Sequence, residues 1–211
     1  MLVKKPRITA DPSSAFLNIP YDSVFQDMYL AYIAGITAFG LVPRAALEVP
    51  GGERRLDRIL SLVRACQYSI HDLSRVEIDP DPPATPRFNM PFEIGLSVML
   101  AEYRVTHTWF VFESVNRRLE KSLSDLKGTE GYVHGGNPSG LFPALCDAFV
   151  RVRQQPTVQQ MDAVYSGLKE HLPRIMHYAG AGSAFGTRVF SDLRYAAQLL
   201  ATQQRPHPRR F

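Results

Sequence analysis

Tyr68-Ser-Ile-His-Asp-Leu-Ser74, the helix-length stretch from Asn89 to Tyr103, and Thr108-Trp-Phe-Val-Phe112 decide how this chain folds. The outer two are short apolar runs bounded by polar or turn-forming residues, which reads as buried strands. The stretch between them has helical length, and a loop rich in Pro and Asp, from Glu77 to Arg87, leads into it. Strand, helix, strand is the mark of a βαβ unit. Such units cross over right-handed and build a parallel sheet with helices on both faces.

Working toward the N-terminus, the same alternation repeats. Ala15-Phe-Leu-Asn-Ile19 reads as a short strand ended by Pro20, after a loose arm over residues 1–12. Asp22 or Ser23 can cap the helix that follows, since either side chain accepts from an unpaired first-turn N–H. Val24, Met28, Tyr32, Ile36 and Phe39 recur at helical spacing up to Gly40. Leu41-Val42 and Ala45 to Val49, interrupted by Pro43, suggest a second strand, and Gly51-Gly52 a turn. Leu56, Ile59, Leu60 and Val63 then mark a second amphipathic helix ending near Cys66.

Toward the C-terminus the strand signal fades, leaving Tyr132-Val133 as a fifth short strand. Helical patterns cover 141–152, 158–172 and 188–200, and the Gly/Ala-rich run 179–186 reads as a flexible connector. The expected architecture is therefore α/β, with a doubly wound, mostly parallel sheet of four to five strands and a helical last third. By domain this gives an α/β unit over 13–155 and a helical extension over 156–211 packing on it, with a basic tail from about 204.

Bulk properties exclude several classes. With 211 residues, 45% hydrophobic and 21% charged, the chain has ordinary globular composition and can bury a core without disulfides. Its two cysteines, Cys66 and Cys146, are too few for a disulfide framework and read as free thiols in a reducing, cytoplasmic setting. No apolar stretch reaches the ~18 residues of a membrane span, so no membrane partner is expected. The net charge of +4 is dispersed apart from the tail, which suits anionic small ligands rather than specific nucleic-acid binding.

In open parallel sheets, ligands bind beyond the carboxyl ends of the strands. The residues placed there are Asn18, Pro20, Tyr21 and Asp22 after the first strand, and Asp72, Ser74 and Arg75 after the third. The next helix opens with Phe88-Asn-Met-Pro-Phe-Glu-Ile-Gly95. Asn89 is expected to cap it, with Glu93 one turn in, held ionised by the helix dipole, and with Gly95 allowing close approach to the sheet. An ionised carboxylate facing a pocket suits attack on, or stabilisation of, a positively charged sugar carbon. The plainer alternatives are a solvated dipole partner for Glu93 and a turn cap for Asp72. The six histidines show no ligand spacing, so neither metal nor cofactor is expected, and the common serine-hydrolase, phosphate-loop and dinucleotide motifs are absent.

Phe16-Leu-Asn-Ile-Pro-Tyr-Asp22, Cys66-Gln-Tyr-Ser-Ile-His-Asp-Leu-Ser74 and Arg87-Phe-Asn-Met-Pro-Phe-Glu-Ile-Gly-Leu96, in that order, resemble a bacterial group of TIR-like predicted nucleotide-binding proteins related to the nucleoside 2-deoxyribosyltransferases. The resemblance covers roughly residues 15–112. It implies a flavodoxin-like fold and, in active relatives, cleavage or transfer at an N-glycosidic bond. Carried over, Glu93 is the nucleophile or stabiliser, Asp72 contacts sugar or base, Asn89 holds the helix start, and Pro20 and Tyr21 line the pocket. Asp125, Lys127 and His134 are candidates to complete the site, with a polar loop as their plainer reading. The Pro-rich loop carrying Asp79 and Asp81 departs from the transferase pattern.

Three functions follow as expectations. One is an enzyme acting on NAD, a nucleotide or a deoxynucleoside. Another is a non-catalytic nucleotide-sensing module of a bacterial defence or stress system. The third is a scaffold whose C-terminal helices dock a partner or form a homodimer.

Overall fold

A computed structural model of the chain describes residues 9–48, 54–79 and 82–204. Five parallel strands form one sheet: β1 (Asp11–Asn18), β2 (Val42–Arg44), β3 (Cys66–Asp72), β6 (Thr108–Glu113) and β7 (Gly131–Val133). Their spatial order is β2-β1-β3-β6-β7, the flavodoxin-like winding with its reversal between β1 and β3. A separate antiparallel ribbon, β4 (Ile78–Asp79) with β5 (Thr85–Pro86), closes the proline-rich loop. The helices are α1 (Gln26–Ala38), α2 (Arg55–Ala65), α3 (Asn89–Tyr103), α4 (Arg118–Ser122), α5 (Pro138–Ala148), α6 (Val158–Ala179) and α7 (Thr187–Gln203).

The pleat sorts side chains between the two faces. Ala15, Leu17, Ile70 and Phe112 join the main core with α1, α5, α6 and α7. Phe16 packs with Ile59, Leu62 and Val63 of α2, and Val111 with Ile94 of α3, on the other face. Helix α1 is buried along its whole length from Met28 to Ala38. It is apolar all round because the sheet covers one side and α6 and α7 the other, so the last two helices form an outer layer on the main core.

Several boundaries differ from the sequence reading. Strand β1 starts at Asp11, inside the expected arm, because the Asp11 carboxylate accepts from Ser13 and Ser14 hydroxyls and the backbone still pairs at Asp11↔Cys66. Strand β2 is confined to Val42–Arg44, and Ala46–Glu48 turns into a 3-10 helix. Pro43 lies within β2, which is tolerated because that strand is at the sheet edge. The ribbon β4–β5 and the short α4 carry too few residues for a periodicity signal.

Helix α6 runs through Pro173 to Ala179, where Gly180 caps it at φ 62. Part of the Gly/Ala run after it packs on the core. Ala184 is buried, Tyr29 Oη donates to its carbonyl at 3.4 Å, and the Phe185 ring lies 5.1 Å from that of Tyr29. The Gly51-Gly52 turn, residues 1–8 and the tail 205–211 lie outside the described residues. Among the described residues, no helix is long and apolar enough to cross a membrane.

Candidate functional site

At the reversal between β1 and β3 the chain leaves the two strand ends toward opposite faces, and a hollow opens there. Its volume is about 540 Å³, and its lining comes from the β1–α1 turn (Pro20, Tyr21, Asp22), the start of α2 (Arg55), the turn after β3 (Arg75) and the approach to α3 (Thr85 to Met90). Six of the residues expected from sequence meet here: Pro20, Tyr21, Asp22, Arg75, Phe88 and Asn89. Arg55, Thr85, Pro86, Arg87 and Met90 complete the lining. Arg55 is legible in hindsight, because the first residue of a helix that follows a parallel strand lies at the carboxyl edge of the sheet.

The lining is cationic and aromatic. Arg55, Arg75 and Arg87 stand against a single acidic lining residue, Asp22. Asp22 Oδ1 caps the turn at Ser23–Phe25 by accepting from the N–H groups of Val24 and Phe25 at 3.1 Å each. Its other oxygen faces Arg75 at 3.6 Å and Arg87 at 3.8 Å. Tyr21 Oη donates to the Leu17 carbonyl at 2.9 Å, fixing the ring at the hollow's edge, while Phe88 is 63% exposed.

Glu93 belongs to the inner side of α3 and is 4% exposed. Its carboxyl interacts electrostatically with Arg55 and Tyr21, both of which line the hollow. Burial pushes its pKa up to about 7, against a partial lowering by Arg55. The expected dipole stabilisation of the ionised form is overcome because Glu93 lies beyond the first turn, where that effect has decayed. Asn89 opens α3 without a side-chain cap bond, and Phe88 occupies the cap position. Gly95 faces away from the sheet, with open space where a Cβ would stand. Among the described residues it permits no closer packing, contrary to the expectation.

Asp72 is not part of the hollow. It ends β3 on the α1 face, fully buried. Its carboxylate accepts from Tyr32 Oη at 2.7 Å, the Ser74 N–H at 2.8 Å and His134 Nε2 at 3.1 Å. Glu93 comes from α3 on the opposite face, so the two carboxyls do not share one mouth. Ser74, His134 and Asp72 form a buried cluster whose geometry excludes a hydrolytic triad. Ser74 Oγ and Asp72 Oδ2 both approach Nε2 of His134, while Nδ1 accepts from the Gly136 N–H at 3.0 Å. A triad needs its nucleophile and its orienting carboxylate on opposite ring nitrogens. Asp125 is exposed in the turn Ser124–Leu126 and, like Lys127, lies outside the hollow's lining.

A second buried chain of hydrogen bonds runs beneath α3. Asn18 Nδ2 donates to the Met90 carbonyl at 3.2 Å and meets His71 Nδ1 at 2.9 Å. An amide nitrogen can only donate, so His71 Nδ1 accepts and its Nε2–H points to Ser69 Oγ at 3.1 Å. Ser69 then donates to His107 Nε2 at 3.1 Å, and His107 Nδ1 reaches the Cys66 carbonyl at 3.2 Å. Burial drives His71 down to about 3, helped by the neighbouring His107, and holds His107 at about 4. Both rings are neutral around pH 7. Asn18 thus ties β1, β3 and the start of α3 together from below the hollow.

Among the described residues, no group of three or more His, Cys, Asp or Glu side chains is placed to hold a metal. Compared with known protein families, curated proteins and solved structures, the chain matches none.

Proposed function

We propose that this chain binds a nucleotide or nucleoside in the hollow at the β1/β3 reversal and acts on its N-glycosidic bond through Glu93. The carrying observation is a nearly buried carboxyl, with its pKa raised to about 7, that does not itself line the hollow but interacts electrostatically with two residues that do, Arg55 and Tyr21. The hollow is lined by aromatic rings and three arginines. Tyr21 offers a flat apolar surface to a base. Arg55, Arg75 and Arg87 suit phosphate or other anionic groups. In the reaction, the bond between the sugar's anomeric carbon and the base nitrogen breaks, and its electron pair leaves on the base. Ionised Glu93 meets the positive charge left on that carbon, and water or a second base then adds there. A cytoplasmic setting accords with the free thiols Cys66 and Cys146.

The test is incubation of purified protein with NAD, nucleoside monophosphates and deoxynucleosides, with free base read by chromatography. Wild type releases base, and Glu93→Gln lowers the rate at least about a hundredfold. Equal inertness of wild type and variant across the panel removes the catalytic reading. A non-catalytic sensor is the second reading, favoured by one observation: Asp72 is sealed away, which leaves Glu93 without the paired carboxylate common in glycoside cleavage. Thermal shift with the same panel and no base release is the result that selects it.

A further inference from the structure

Helix α3 is apolar on its outer side as well as rich in apolar residues overall, yet among the described residues nothing packs on that outer side. Its inner side buries Glu93, Ile94 and Ser97. Its outer side carries Phe92, Met99 and Tyr103, exposed by 55%, 58% and 81%, and Phe88 continues the line at 63%. These positions fall at spacings of four, seven and four, which on a helix is one straight stripe. In soluble proteins an all-apolar helix is ordinarily covered on every side. On the opposite face of the sheet, α1 has that cover from α6 and α7. The element after β6 is α4, only five residues long, and it leaves the outer side of α3 open.

We infer that a second copy of this chain covers the stripe, with the two α3 helices crossing antiparallel about Gly95. Three features favour a second copy over another partner. Gly95 lies at the middle of the stripe between Phe88 and Tyr103, and nothing stands within 4 Å of where its Cβ would be. A two-fold axis there puts glycine on glycine, so the helices approach closely while Phe92 and Met99 of each copy pack over the other. The antiparallel crossing also sets Glu102, near the C-terminal end of each α3, over the partially positive N-terminal end of the other, a favourable charge pairing at both rims. Finally, an aromatic side chain presents ~150–250 Å². At the exposures given, the stripe therefore offers on the order of 500 Å² per copy, and the pair reaches the ~1,000 Å² of a specific interface. Phe88 also lines the hollow, so the interface begins at the edge of the candidate site without depending on any activity there.

The experiment is sedimentation equilibrium on the full chain at concentrations up to about 100 µM. Wild type is expected at twice the 23.7 kDa of one chain. Phe92→Asp with Met99→Asp gives the single-chain mass, whereas Leu199→Asp, at an exposed apolar position on α7, stays dimeric. Gly95→Leu weakens the dimer at least tenfold yet leaves the far-UV spectrum unchanged, because inside one chain the added side chain meets open space. A wild type that sediments as a single chain at the highest concentration overturns the inference. So does a dimer that survives the Phe92/Met99 double substitution with its circular dichroism intact.

Discussion

Glu93 is where burial and ionisation conflict most directly, and the conflict has a measurable sign. Its pKa rises from an ordinary 4.5 to about 7 in the folded chain. Between those values the unfolded chain has released this proton and the folded chain has not, so this residue's contribution to stability falls as pH rises. The full effect, reached above pH 7, is ~3 kcal/mol. Glu93→Gln is therefore expected to be more stable than wild type by up to that amount at pH 8, and nearly equal to it at pH 4.5, in urea titrations at the two pH values. A difference that does not grow with pH contradicts the assigned shift. The same variant loses base release under the proposed activity, so gain of stability and loss of turnover separate a site residue from a merely structural one.

At the scale of elements, the start of α3 is held by Asn18, and through it by the chain His71–Ser69–His107. Asn18→Ala removes the donor to both Met90 O and His71 Nδ1. Leaving those two buried acceptors unpaired costs about 1–3 kcal/mol, read as a lower urea midpoint. It also frees the start of α3, which speeds amide exchange in its first turns. The histidines act on pH in the sense opposite to Glu93. Folded values of about 3 for His71 and about 4 for His107 lie below the ordinary 6.5, so the unfolded chain binds these protons first. Their contribution is complete above about pH 6.5 and is lost as pH falls toward 4. Two imidazoles outweigh one carboxyl, so wild type loses stability on acidification. Glu93→Gln, which lacks the opposing gain, loses it more steeply. Parallel pH–stability curves for the two proteins contradict this assignment.

For the whole molecule, the C-terminal helices are part of the core rather than an appendage. Val189, Phe190, Leu193 and Ala197 of α7 are buried in the cluster that contains α1, and Arg194 reaches Glu48 at 3.2 Å. A chain ending at Gly186 keeps α6 but uncovers the part of α1 and α6 on which α7 packs. It is expected to lose its cooperative thermal transition and to bind a hydrophobic dye. The single change Phe190→Ala removes a fully buried ring and costs about 3–5 kcal/mol. A truncated chain that still melts cooperatively near the wild-type temperature overturns this reading.

What the amino-acid order determined alone is what depends on near neighbours in the chain. The alternation of short apolar runs with helical stretches is enough for a parallel, doubly wound sheet, because each βαβ unit is local and right-handed. The same rule places Pro20, Tyr21, Asp22, Arg75, Phe88 and Asn89 at the carboxyl edge, where the hollow opens. Tertiary structure decided which side of the sheet each strand-end residue faces and what lies around it. Asp72 and Glu93 read alike as acids near strand and helix ends. One is sealed among Tyr32, Ser74 and His134, and the other is buried on α3 within electrostatic reach of the hollow's Arg55, with a raised pKa. Ser69 and His107 acquire their roles only from each other, across a long separation in sequence. A side chain's ionisation and hydrogen bonding are set by what burial brings against it, and burial of that kind exists only in the folded chain.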